Sequence, residues 1–219
     1  MSLEALKKEV YEANMELVEK QLVISTWGNV SGYDEESGLM VIKPSGVPYK
    51  ELRPDQMVPV DLNGNVVDSD YVPSTDTDTH IELYKAFKDQ GIRGIVHTHS
   101  QFATMWAQMG KNIPCYGTTH CDYFFGDIPC TRLMTTEEIE EAYEKNTGKV
   151  ILEEFEKRNC VEMQAVLVHS HAPFTWGKTP HAAVLHAQVL EYVAKMAIFD
   201  EIATGGKCEL IKDNIKMKH

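Results

Sequence analysis

The chain has 219 residues, 43% of them hydrophobic, with 33 Asp plus Glu against 21 Lys plus Arg and a formal net charge of -12. That length and apolar content suffice for one sizeable core and are cramped for two, so residues 1–219 read as a single domain. The acidic balance argues against nonspecific affinity for nucleic acid or an anionic membrane surface, so an anionic ligand needs a local site.

Taken in chain order, Leu3, Leu6, Val10, Ala13 and Leu17 recur at three- and four-residue intervals and predict an amphipathic opening helix. Its charges leave no room for the apolar core of a signal peptide, and no run reads as long and apolar enough to span a bilayer. The segment LMVIKPSG reads as a strand stopped by Pro44 and Gly46, and MVPVDLNGNVV as a hairpin turning at Asn63-Gly64. A helix near 78–88 leads into the strand IRGIVHTH, followed by a helix capped by Ser100. The acidic stretch from Met134 predicts one long helix, or two meeting at Gly148, with Thr135 or Thr136 as the cap. MQAVLVHSHAPF reads as one buried strand, and the segment from Thr179 as a long helix with Leu185, Val189, Val193 and Met196 inward. The order implies a three-layer α/β/α sandwich whose hairpins make the sheet at least partly antiparallel. Five cysteines (Cys115, Cys121, Cys130, Cys160, Cys208) without a C-x-x-C pair fit free thiols in a reducing cytoplasm.

Two His-x-His pairs, His97 with His99 and His169 with His171, stand at predicted strand ends. Alternate residues of a strand share a face about 6.6 Å apart, close enough for two imidazoles to converge on one ion. One such histidine is ordinarily a hydrogen-bonded core residue; the repetition points to a metal. Three imidazoles with an open position suit a Lewis-acid zinc better than a closed structural site. Asp76, Asp78 and His80 of PSTDTDTH are further ligand candidates, although the aspartates equally suit helix capping. His181 and His186 lie on different sides of their helix and cannot share an ion. Three segments, STWGNVSG, KPSG and PSTDT, combine hydroxyl residues, glycine and free backbone amides, which can cradle a phosphate. Lys43 is the only charged side chain between Ser37 and Tyr49 and is the best candidate cation there. Each segment alone would be an ordinary turn.

Together TWGNVSG, VIKPSG, PSTDTDTH, GIVHTHSQFAT, GTTHCDYFFGDIPCTR and VLVHSHAPFTWGK resemble, in order, the class II sugar-phosphate aldolase/epimerase family, most closely its L-ribulose-5-phosphate 4-epimerase branch. The resemblance implies an α/β/α sandwich around a mainly antiparallel sheet and a cytoplasmic homotetramer with active sites between subunits. It implies metal ligation by Asp76, His97, His99 and His171, with His169 behind them, and a divalent ion that is zinc first, manganese or cobalt also fitting. It implies a phosphate site of Gly28, Asn29, Ser45, Gly46, Ser74 and Thr75 beside Lys43, Thr75 replacing the family's usual serine. Asp122, Thr118 and His120 would enter from the neighbouring subunit, Asp122 as a proton-transfer group. The implied reaction interconverts L-ribulose 5-phosphate and D-xylulose 5-phosphate by retro-aldol cleavage and re-formation of the C3–C4 bond. Related aldolases, such as those acting on L-fuculose 1-phosphate, carry a glutamate acid/base where Asp76 stands, so aspartate favours the epimerase. The family's second proton-transfer group is a tyrosine in a C-terminal tail. No residue up to His219 matches it, and the expectation is a tail beyond that histidine. The alternatives are an aldolase with the same metal and phosphate machinery, or a non-catalytic scaffold of this fold.

Overall fold

Six strands form one sheet: β1 (Asn29–Asp34), β2 (Leu39–Ile42), β3 (Val58–Asp61), β4 (Gly94–His97), β5 (Ala165–Leu167) and β6 (Pro173–Gly177). Their spatial order is β3-β2-β1-β4-β6-β5, and every neighbouring pair is antiparallel. The structure is a computed structural model and describes residues 2–219. The helices are α1 (Leu3–Glu19), α2 (Thr77–Phe87), α3 (Gln101–Met109), α4 (Thr118–Cys121), α5 (Thr136–Glu154), α6 (Pro180–Thr204) and α7 (Asp213–Lys216).

Strand alternation sorts the core into two faces. On one, Val30 and Val96 meet Ala13 and Leu17 of α1 and Ala183, Val184 and Ala187 of α6. On the other, Tyr33, Met40, Ile95, Phe174 and Trp176 meet Ile81 and Tyr84 of α2 and Ile151 of α5. The result is the expected three-layer sandwich. Gly94 allows α6 to start on top of β4: a Cβ there would stand 2.3 Å from the Thr179 carbonyl oxygen and 2.4 Å from the Pro180 nitrogen.

The opening helix forms as its stripe predicts, with Leu6, Val10, Ala13 and Leu17 buried and the Ser2 hydroxyl accepting from the Ala5 amide. Elsewhere tertiary contacts override local pattern. The hairpin after β3 has a second arm reduced to a single bridge between Val60 and Val66. The predicted strand over residues 163–174 is two strands joined by a tight turn, in which the Val168 amide donates to the Ala172 carbonyl and Ser170 takes φ 62°. Helix α5 breaks at Ala142 (φ -165°, ψ 79°), not at Gly148, and opens on a capping box between Thr135 and Glu138. Gly148 instead lets α2 approach, since a Cβ there would lie 2.7 Å from Glu82 Cβ.

Ser100 holds the N-cap position of α3 without a side-chain bond; the Glu191 carboxylate of α6 takes the Phe102 and Ala103 amides at 2.8 and 2.9 Å. The inward face of α6 carries Ala183, Val184, Ala187, Leu190, Val193, Ala194 and Ala197, whereas Leu185 is 41% exposed. The most apolar 18-residue window of α6 averages a hydropathy of 1.3, so this 25-residue helix is long and apolar enough to cross a membrane, which corrects the sequence expectation. The same composition arises in a helix that packs on β4, β6 and α1, as this one does.

Candidate metal centre and substrate cavity

Register sets the site. Asn29 of β1 pairs directly with His97 of β4, and His97 pairs in turn with Phe174 of β6. These three side chains therefore stand in a row on the face turned toward α2. The His97 ring stacks on Phe174 at a centroid distance of 4.3 Å, and its Nδ1–H donates to the Pro173 carbonyl at 3.0 Å. That bond leaves Nε2 as the lone-pair nitrogen, 3.2 Å from His99 Nε2. His171 arrives from the turn between β5 and β6, and the ligand nitrogens of His97, His99 and His171 all lie within 4.8 Å of one another. Burial first, then neighbouring His97, pushes His99 and His171 down to about 4. Both are therefore neutral near pH 7, and the three converging imidazoles form a donor set that fits a divalent cation such as zinc.

Asp76 stands at the N-cap of α2, but its carboxylate makes no cap bond. It accepts from Asn29 Nδ2 at 2.6 Å and from the Ser74 hydroxyl at 3.4 Å. Burial raises the Asp76 pKa, but the neighbouring His97 and His80 and the Asn29 bond outweigh it and hold the carboxyl below its ordinary value. Asp76 lines the same cavity as the three histidines without belonging to their tight group. His80, one turn further along α2, is fully buried and pushed down to about 3 by burial, with Nδ1 2.7 Å from the Ser31 hydroxyl. Asp78 is exposed.

The cavity holds about 400 Å³, and its walls unite the phosphate-type loops: Gly28 and Asn29, Lys43, Ser45 and Gly46, then Ser74 and Thr75. Gly28 is required there, because its φ is +80° and a Cβ would lie 2.7 Å from Val23 Cγ1 and 3.0 Å from the His97 carbonyl. Among the described residues, no protein acceptor takes the backbone amides of Gly28, Gly46 or Thr75. Lys43 is only 2% exposed, and among the described residues it meets no carboxylate. Its Nζ reaches the carbonyls of Pro44 (3.3 Å) and Thr26 (3.5 Å) and lies 4.9 Å from the Tyr49 ring centre. Burial pushes Lys43 down to about 8. A buried ammonium with no anion, beside free amides and the N-terminus of α2, is an arrangement that favours negative charge.

Not every predicted group arrives. Thr118 and His120 line a separate depression against α6. His120 Nε2 donates to the Gly126 carbonyl at 2.8 Å, and Asp122 Oδ1 lies 2.9 Å from His219 Nδ1. His169 is turned toward α3, with its ring where a Cβ on Gly110 would sit. His181 pairs with Glu16, and His186 Nδ1 donates to the Trp176 carbonyl. Thr26 and Trp27 of the STWGNVSG segment also line the cavity, and so do Tyr143 and Glu144, which lie outside every predicted motif. Tyr143 and Glu144 follow the break at Ala142, which no glycine or proline signals.

A family model described as the class II aldolase and adducin N-terminal domain matches residues 8–198. The chain belongs to that family. Among solved structures it is similar to an L-fuculose 1-phosphate aldolase, at 27% identity and a TM-score of 0.81, covering 100% of this chain and 95% of that one. It is also similar to YgbL from Escherichia coli, for which aldolase, epimerase and decarboxylase are all named, at 18% identity and a TM-score of 0.76, covering 98% and 97%. An L-fuculose 1-phosphate aldolase from Glaciozyma antarctica follows at 16% identity and a TM-score of 0.77, covering 98% and 80%. The last two speak for the fold alone.

Proposed function

We propose that the chain is a metal-dependent L-ribulose-5-phosphate 4-epimerase. It acts as one domain spanning residues 1–219 in a cytoplasmic homotetramer with active sites between subunits. The observation that carries the reading is Asp76: an aspartate beside the three histidines, its carboxylate tied to Asn29 at 2.6 Å. An aldolase must exchange a proton with the carbon it uncovers, and a short carboxylate held in this way is ill placed to do so. An epimerase needs no such exchange, because the same two fragments recombine.

His97, His99 and His171, with Asp76, would hold the metal. Bound there, a divalent cation supplies Lewis-acid stabilisation of the negative charge that develops on the ketone fragment when C3–C4 breaks. Lys43, Ser45, Gly46, Ser74 and Thr75 grip the phosphate, so the aldehyde fragment stays anchored while its carbonyl face turns over. Asp122 of a neighbouring subunit takes or returns the proton of the C4 oxygen, with Thr118 and His120 beside it. Free cysteines accord with a reducing compartment.

The aldolase reading is favoured by one observation, the 27% identity to an L-fuculose 1-phosphate aldolase. Incubation with L-ribulose 5-phosphate, with and without chelator, separates the two. Chelator-sensitive formation of D-xylulose 5-phosphate supports the epimerase. Release of free aldehyde from L-fuculose 1-phosphate, with no epimerisation, replaces it with the aldolase.

A further inference from the structure

Tyr143 faces the metal centre from outside the motifs that define it. Its hydroxyl lies 3.4 Å from His171 Nδ1, with the two rings 5.9 Å apart, and it lines the cavity together with His171 and Glu144. Tyr143 follows directly on the break at Ala142, which re-aims the helix one residue before it. The break is held in place. Asn146, 3% exposed, donates its side-chain amide back across the break to the Glu138 carbonyl at 2.8 Å. On either side of the cavity-facing ring, the Thr147 hydroxyl donates to the Tyr143 carbonyl at 2.8 Å, and Thr79 of α2 donates to the Glu144 carbonyl at 2.6 Å. Three part-buried polar contacts, two within α5 and one from α2, thus hold the backbone on which Tyr143 stands.

His171 itself comes from a turn. His97 is oriented by the Pro173 carbonyl at its Nδ1, whereas the ring of His171 meets no backbone carbonyl among the described residues, and Tyr143 is its polar partner.

We propose that Tyr143 is a positioning residue for His171: its hydroxyl oxygen accepts from Nδ1–H, fixing the tautomer that presents Nε2 to the metal. The inference rests on the proposed reading only in taking the three histidines as metal ligands; the identity of the sugar phosphate plays no part.

The test is zinc affinity of the whole chain and of Tyr143→Phe, measured by competition with a chromophoric chelator, alongside nitrogen-15 spectra of the zinc-loaded wild type. Loss of the acceptor is expected to weaken zinc binding about 10- to 100-fold, while the thermal midpoint of the metal-free protein stays unchanged. The spectra should show His171 protonated at Nδ1 and bound through Nε2. Equal affinities for the two proteins, or a His171 bound through Nδ1, would overturn the proposal even if Tyr143→Phe folded poorly. A wild type that binds no zinc would overturn the metal reading itself, a different result from a variant that matches a zinc-binding parent.

Discussion

His97, His99 and His171 can hold an ion only as neutral rings, and burial keeps His99 and His171 so, at about 4. Replacing a ligand and replacing the proposed proton-transfer group should therefore separate cleanly. His97→Asn or His171→Ala should lose metal and turnover together, whereas Asp122→Asn should keep stoichiometric metal and lose turnover by about 100-fold or more. Metal analysis beside rates checks this, and an Asp122→Asn protein that turns over at the parental rate contradicts the assigned role. The same burial predicts an acid sensitivity. An unfolded histidine titrates near 6.5, while His80 in the fold is pushed down to about 3. As pH falls from 6.5 toward 4, the unfolded chain takes up protons that the folded one refuses, so the stability of the metal-free protein falls with pH. Urea midpoints in chelator at pH 7 and pH 5 measure it. Equal midpoints would mean that these rings are less enclosed than the packing indicates.

Helix α3 shows how one element borrows its cap from another. Ser100 occupies the position that sequence preference assigns to the cap, yet the Glu191 carboxylate of α6 takes the first amides. Charge at a helix N-terminus adds to the hydrogen bonds themselves. Glu191→Ala should cost about 1–2 kcal/mol, read as a lower denaturation midpoint, and Ser100→Ala should cost much less. The opposite ranking would return the cap to the serine. Since α3 follows directly on His99, loosening its start should also weaken metal binding somewhat.

At the scale of the molecule, the cavity holds the candidate ligands and the phosphate loops, while Thr118, His120 and Asp122 lie in a different region of the same chain. A site shared between subunits reconciles the two placements, and it makes a mixing prediction. Inactive His97→Asn and inactive Asp122→Asn subunits, unfolded and refolded together, should regain about one quarter of parental activity, because a random mixture gives that share of interfaces one intact partner of each kind. No recovery in mixtures shown to be oligomeric would place Asp122 outside the shared site.

What is written in short contiguous strings was legible in the sequence: the opening helix through its apolar stripe, the partly antiparallel sheet, the His-x-His at the end of β4, and the hydroxyl- and glycine-rich segments, although the second half of STWGNVSG is strand β1, not loop. These signals are local, because backbone periodicity and turn chemistry act over a few residues. Tertiary structure alone decided which of these strings meet. It paired Asn29 with His97, tied Asn29 to Asp76 from 47 residues away, split the second His-x-His across a turn so that His171 joins the cluster and His169 does not, and broke α5 at Ala142 to present Tyr143. Each of those outcomes depends on contacts between distant segments, whose free energy exceeds the small local preferences that a sequence displays.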